Sequence, residues 1–225
     1  MDHSITEIEV RKIIKQLHSG KAVGPDLICN EMLKHGIDIL LKPMVHLFNL
    51  IISTGEYPES WKSGYISPVH KKGSKVDPNN YRGITVSSCL SKVFTHILSD
   101  RLDNYMKENG KWSKNQCGFK KEHRTEDNIF VLQTVFNTQV IQGKGKLYLA
   151  FVDFKKYFDT INRKYLLYKL LQNGITGKFY NLIKTMYSGD RCQVKSDNKL
   201  SAYIETSSGV KQGCKESTLV KLISK

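Results

Sequence analysis

Acidic residues are the scarce kind in this chain. Asp and Glu number 21 against 35 Lys and Arg, giving +14 at pH 7, a balance that suits a polyanionic partner, nucleic acid first and an anionic membrane surface second. Long apolar runs are also missing: none approaches the ~20 residues of a membrane helix, so no membrane-spanning segment is expected. The opening MDHSITEIEV lacks the charged-then-apolar layout of a signal peptide, which sets the expectation of an intracellular protein with nucleus and cytoplasm undecided. Cysteine is sparse, and Cys29, Cys89, Cys117, Cys192 and Cys214 are scattered and odd in number. That argues against a disulfide framework, and no paired spacing suggests zinc; reduced thiols are expected. There is no internal repeat, low-complexity tract or clean linker. What remains, 225 residues at 40% hydrophobic and 10% aromatic, is enough to fold as one large domain or two lobes.

Periodicity supplies most of the elements. Ser4 to Glu7 reads as a capping box opening a short helix with a stripe of Ile5, Ile8, Ile13, Ile14 and Leu17. A turn at Gly24-Pro25-Asp26 precedes a second helix closing at Gly36. Leu40, Met44, Leu47, Phe48 and Ile51 define one face of a third, with Pro43 tolerated only near its first turn. From Tyr57 to Val86 the chain turns to Pro58, Pro68, Pro78 and short β-branched runs, a loop-and-hairpin pattern. His70, Lys71, Lys72 and Lys75 form a positive patch there, and a hairpin folding back would bring Arg82 near them to grip phosphate oxygens. A lysine-decorated edge that blocks aggregation explains the same lysines equally well. A long amphipathic helix is expected over Ser88 to Met106, and another from Thr125, preceded by a basic turn with Lys120, Lys121, His123 and Arg124. His123 has no second His or Cys at ligand spacing and reads as a surface histidine.

The stretch LYLAFVDFKKYFDT, residues 147–160, is the centre of the reading. Its apolar run from Leu147 to Val152 predicts a buried strand, and Asp153 at the strand's carboxyl end is placed to hold a hard cation. A solvated aspartate starting a turn is the plain alternative. Two helices follow over 161–171 and 179–187, then short strands at QVKS and SAYIET that would extend the sheet begun at Leu147. The glycine-flanked Gln212 in GVKQGC lets backbone and amide approach a ligand, though an ordinary turn fits as well.

Taken together and in order, GKAVGPD, NEMLK, WKSGYISPVHKKGS, DPNNYRGITV, QCGFKKEHRTEDNI, AFVDFKKYFDTI and SSGVKQGC resemble the reverse transcriptase of non-long-terminal-repeat (LINE-type) retrotransposons, over about residues 10 to 214. The resemblance implies an α/β (α+β) right-hand polymerase fold, with fingers over 1–146, a partial palm over 147–214 and a divergent tail over 215–225. It implies magnesium-dependent DNA synthesis from a deoxynucleotide triphosphate on an RNA template and DNA primer. By it, Asp153 is the catalytic, metal-binding palm aspartate, with the Phe154 carbonyl as an extra ligand. Phe158 lies under the incoming sugar, Arg82 neutralises the triphosphate with Lys71 or Lys72 as helper, and Gln212 and Gly213 lie against the nucleotide. Asp159 is structural, and Tyr157 replaces a smaller residue and would crowd the pocket. Two metal ions need several convergent carboxylates, yet the sequence has no Asp-Asp, and the ending KESTLVKLISK departs from the family. The Tyr-x-Asp-Asp turn and thumb, and an endonuclease domain, are therefore expected to be missing, leaving a polymerase fragment inactive by itself. The alternatives are a nucleic-acid-binding module that keeps the basic fingers surface, or a relic whose unpaired edge and apolar face invite aggregation.

Overall fold

The first helix begins where a threonine can cap it. In the computed structural model, which describes residues 1–113, 115, 117–118, 123–196 and 199–211, helix α1 spans Glu7–Lys15 and its N-cap is Thr6, not Ser4. The Thr6 hydroxyl accepts from the Glu9 N–H at 3.3 Å while the Glu9 carboxylate accepts from the Thr6 N–H at 2.9 Å, so the capping box is real but displaced by two residues from the expected Ser4/Glu7 pair. The buried face changes with it. Val10, Ile13 and Ile14 enter the core, whereas Ile8 is 80% exposed.

Helices α2 (Asn30–His35), α3 (Ile37–Thr54), α4 (Glu59–Lys62) and α5 (Cys89–Glu108) complete the first helical layer. Gly24 packs where a Cβ would lie 2.7 Å from the Ser87 and Ser88 backbone, so the turn before α2 tolerates only glycine at that contact. In α3, Pro43 falls in the second turn, later than expected, on the exposed side of the helix. This helix is long and apolar enough to cross a membrane by length and mean hydropathy of 1.4 alone, a test that the core helix of a globular protein also passes. Its Leu41, Met44, Phe48, Ile51 and Ile52 are instead buried in the protein core. The aromatic centre of that core is Phe48 with Phe94 of α5 and Trp61, at ring separations of 5.3 and 6.2 Å, geometry that adds to simple area burial. Helix α5 carries Val93, Phe94, Ile97, Leu98, Leu102 and Met106 into it, as the periodicity predicts.

The hairpin forms. Strand β1 (Ser63–His70) pairs antiparallel with β2 (Tyr81–Val86), from Tyr65 opposite Val86 to His70 opposite Tyr81. The other side of β1 is taken by β3 (Arg191–Ser196), which runs parallel to it, and β3 in turn pairs with β4 (Lys199–Leu200) and β5 (Ile204–Glu205). The sheet therefore starts at β1, not at Leu147, and only Ile204–Glu205 of the expected SAYIET strand is extended and paired. Helices α8 (Arg163–Gln172) and α9 (Gly177–Met186) lie between, with Leu166, Leu170, Phe179, Leu182, Ile183 and Met186 buried.

The expected strand at Leu147 to Val152 is absent. Those residues are irregular, and Tyr148, Phe151 and Val152 are 86%, 84% and 77% exposed. Strand propensity reports how well a side chain fits a pleated, half-buried surface; β1 is taken on both sides, by β2 and β3, and the outer edge of β2, which no described strand pairs, is not met by this segment. Helix α6 (Thr125–Phe136) shares the condition, since it begins where predicted but buries none of its residues.

Candidate functional site

The hairpin gives the site its first wall. Beyond His70 the chain loops through a short 3₁₀ turn at Pro78–Asn80 and returns, and the loop is closed by the Lys71 N–H donating to the Asn80 carbonyl at 2.8 Å. The His70 and Tyr81 rings pack edge to face at 5.2 Å across the tip. Arg82 stands opposite Val69 in register, one step from the loop that carries Lys71 and Lys72, and all three are exposed. Exposed guanidinium and ammonium groups at a rigid hairpin tip suit phosphate oxygens, Arg through two parallel N–H donors.

The second wall is the turn after Asp153. Lys156 adopts a left-handed conformation at φ 51° and starts the short helix α7 (Tyr157–Thr160). Its Nζ donates to Asn79 Oδ1 at 3.2 Å, which brings the Asp153 segment to the hairpin tip across 77 residues of sequence. Asp153 itself is exposed, in the manner of a solvated aspartate before a turn. Phe154, with 69% of its surface exposed, packs its ring 5.5 Å from Tyr157, which in turn meets Phe158 edge to face at 6.1 Å. Tyr157 and Phe158 are half-buried and pack on the core.

A third segment docks on that turn. The Val210 N–H donates to the Phe158 carbonyl at 2.9 Å and the Gly209 N–H to the Ile161 carbonyl at 2.8 Å. Gly209, at φ +78°, sits where a Cβ would fall 2.8 Å from the Asp159 carbonyl, so the glycine of SSGVKQGC is needed both for its backbone angle and for the close approach. Gln212 and Gly213, two residues on, lie outside the described residues, as do Lys120, Lys121 and the tail from 215 to 225.

Holding this segment is an ionic cluster the sequence reading missed. Arg163 donates from Nε to the Gly209 carbonyl at 2.8 Å and from Nη2 to Asp190 Oδ2 at 2.9 Å and Thr206 Oγ1 at 3.1 Å, and its guanidinium stacks on Tyr187 at 4.9 Å. Lys211 Nζ lies 2.8 Å from Asp190 Oδ1 and donates to the Lys62 carbonyl at 3.2 Å. The Asp190 side chain is 3% exposed; Arg163 and the Thr206 hydroxyl donate to its Oδ2, while Oδ1 has no hydrogen bond and is offset by the Lys211 charge 2.8 Å away. Its sequence signals, an Asp before a strand and an Arg at a helix start, are too common to single out. The cluster floors a cleft of about 410 Å³ lined by Ile66, Gly83, Thr85, Asp159 and the 206–211 segment, within the size range of small-ligand pockets. Strand alternation turns Arg82 to the opposite face from Gly83 and Thr85. The cleft thus gathers Asp159 and Gly209 but not Arg82, Asp153, Lys71 or Lys72.

Magnesium, which the resemblance implies, meets a donor set too small for two ions. A Mg²⁺ ion takes one or two carboxylates plus waters and substrate phosphates in octahedral geometry. Asp153 with the Phe154 carbonyl offers one carboxylate, and among the described residues Asp153 belongs to no group of three His, Cys, Asp or Glu whose ligand atoms converge. The described residues do not fit a two-ion centre. Burial pushes the thiols of Cys89 and Cys192 upward, Asp190 adding to the effect at Cys192, so these are inert core groups. The four described cysteines are free, as expected.

Comparison with known proteins adds lineage to this geometry. The family described as "Reverse transcriptase (RNA-dependent DNA polymerase)" matches residues 69–223. The "Probable RNA-directed DNA polymerase from transposon X-element" of Drosophila melanogaster is 29% identical over 218 residues, covering 95% of this chain and 24% of the relative. The "RNA-directed DNA polymerase from mobile element jockey" of Drosophila melanogaster is 27% identical over 216 residues, 93% of this chain and 23% of the relative. The "Retrovirus-related Pol polyprotein from type-1 retrotransposable element R2" of Nasonia vitripennis is 25% identical over 202 residues, 89% and 19% respectively. The chain spans about a quarter of the length of the curated relatives it matches.

Proposed function

This chain belongs to the reverse transcriptase (RNA-dependent DNA polymerase) family, as a domain of the kind found in non-long-terminal-repeat, LINE-type retroelements, and on that premise we propose that its residues form the fingers and part of the palm of a polymerase that copies RNA into DNA. Residues 1–146 act as fingers and 147–214 as palm. RNA template, DNA primer and a deoxynucleotide triphosphate are its substrates. The hairpin tip and the turn after Asp153 face the incoming nucleotide. Arg82, aided by Lys71 or Lys72, draws off negative charge from the triphosphate through charge-assisted hydrogen bonds. Phe158 lies beneath the sugar, and Gln212 with Gly213 against the nucleotide. Asp153 contributes one carboxylate to metal binding.

The observation that supports this reading most is the convergence of motifs far apart in sequence: Lys156 on Asn79, and Val210 on Phe158. Magnesium would supply charge neutralisation at the reacting phosphate, but one carboxylate does not hold a pair of ions. These 225 residues alone are accordingly expected to bind primer-template without extending it. The single carboxylate together with the exposed basic tip favours binding as the activity of this stretch.

Two assays test the proposal. Primer extension on an RNA template with magnesium is expected to give no product from the 225-residue chain, and product that Asp153→Ala abolishes would overturn the inactive reading. A salt titration of RNA–DNA hybrid binding is expected to give a steep negative slope, with Arg82→Ala reducing it by about one. An unchanged slope removes Arg82 from the contact surface.

A further inference from the structure

Away from the polymerase site, the start of α6 gathers three side chains of a different chemistry. Cys117, His123 and Asp127 each present one ligand atom, and these atoms all lie within 4.8 Å of one another. Cys117 is a free thiol, half-buried like His123, while Asp127 is exposed. His123 Nδ1 stands 3.5 Å from Asp127 Oδ2, and that carboxylate is fixed in place by the Arg124 N–H donating to it at 2.9 Å. The spacing, six residues and then four, matches no paired-ligand pattern, which is why His123 looked solitary in the sequence.

We infer that Cys117, His123 and Asp127 bind a zinc(II) ion, with water in the fourth position. Zinc bonds of about 2.3 Å to sulfur and 2.0–2.2 Å to nitrogen and oxygen put tetrahedral ligand atoms roughly 3.4–3.6 Å apart. A set already within 4.8 Å reaches that geometry by rotation of exposed and half-buried side chains. Charge agrees with the assignment: thiolate and carboxylate carry two negative charges against the ion's two positive ones, so the site closes neutral beside Arg124 in a strongly basic chain. Donor softness separates it from the magnesium of polymerase chemistry, because thiolate with imidazole selects zinc and hard magnesium avoids both. Ligation would tie Cys117 to the first turn of α6, a helix that buries none of its own residues. The inference does not rest on the polymerase reading.

The test uses the full chain stripped with a chelator and titrated with cobalt(II), then zinc. One cobalt per chain is expected, with a thiolate-to-cobalt charge-transfer band and the strong visible absorption of a tetrahedral ion, displaced by zinc and not by a large excess of magnesium. Cys117→Ser should abolish the charge-transfer band, and His123→Ala should weaken binding by about 100-fold or more. Cys29→Ser, in the turn before α2, should change nothing. Circular dichroism of the metal-free variants checks that each is folded. A wild-type chain with no charge-transfer band overturns the inference without reference to any variant, and so does a Cys117→Ser chain that keeps the band.

Discussion

The core around Phe48 and the stretch from Thr125 to Phe154 carry similar apolar content and meet opposite fates. Phe48 of α3 is fully buried against Phe94 of α5 and Trp61 of α4, whereas Phe130 of α6 is 71% exposed and Phe151 84%. The difference lies in partners. A helix stripe or an apolar run states which face wants burial, but the burial happens only where another element of the same chain offers a matching face. For α1, α3 and α5 those faces exist. For α6 and residues 147–152 none is present among the described residues. Such exposed apolar surface suits an interface or promotes aggregation.

Mutation sharpens that contrast. Phe48→Ala should cost about 3–5 kcal/mol through lost packing and a residual cavity, read as a lowered urea midpoint at constant slope. Phe130→Ala should stay within about 0.5 kcal/mol. Comparable losses at the two sites would mean that α6 is packed in solution after all.

Arg101→Met should follow, at roughly 3 kcal/mol. Its guanidinium, 5% exposed, donates to both Glu9 carboxylate oxygens at 2.9 and 3.0 Å and to the carbonyls of Met1, His3 and Ser4. Burial pushes the Glu9 carboxyl up, but hydrogen bonds from Arg101 and the Thr6 N–H outweigh it and hold the group below its ordinary value of 4.5. A carboxyl held low in the folded chain adds stability above that value, and the contribution fades as pH falls below it. Acidification from pH 6 to 3 should therefore erode the wild type more than Arg101→Met, and parallel pH profiles would remove the ion pair from the account.

The smallest effect is expected at the exposed run. Phe151→Ser should change the unfolding free energy by no more than ~0.5 kcal/mol while raising the concentration at which the chain aggregates, measured by light scattering. A large loss of stability would place Phe151 in a core.

How much of this was legible in the sequence follows the same line. The α5 stripe, the hairpin and the start of α6 were readable because each depends on local periodicity or turn chemistry. The capping box slipped from Ser4/Glu7 to Thr6/Glu9 because both patterns fit locally and long-range contacts chose: Glu9 is the residue that reaches Arg101. The strand at Leu147 failed because pairing is a property of two segments and a local apolar run does not name its partner: β1 is occupied on both sides, and the segment does not meet the open edge of β2. Asp153 and Arg82 stand out from a strand-end carboxylate and a hairpin pattern, their roles and that of Phe158 come from the resemblance alone, and no spacing within the chain joins Lys156 to Asn79. Asp190 and Arg163 escaped notice because a buried ion cluster leaves no periodic trace.

Amide hydrogen exchange across Leu147–Val152 tests the central claim most directly, that the polymerase motifs converge while the segment leading to Asp153 pairs with no strand among the described residues. The prediction is exchange close to that of an unstructured peptide at those amides, beside strong protection where β1 and β2 pair, Tyr65 to His70 against Tyr81 to Val86. Protection of Leu147–Val152 equal to that of β1 would mean that the strand forms in solution, and would contradict the account.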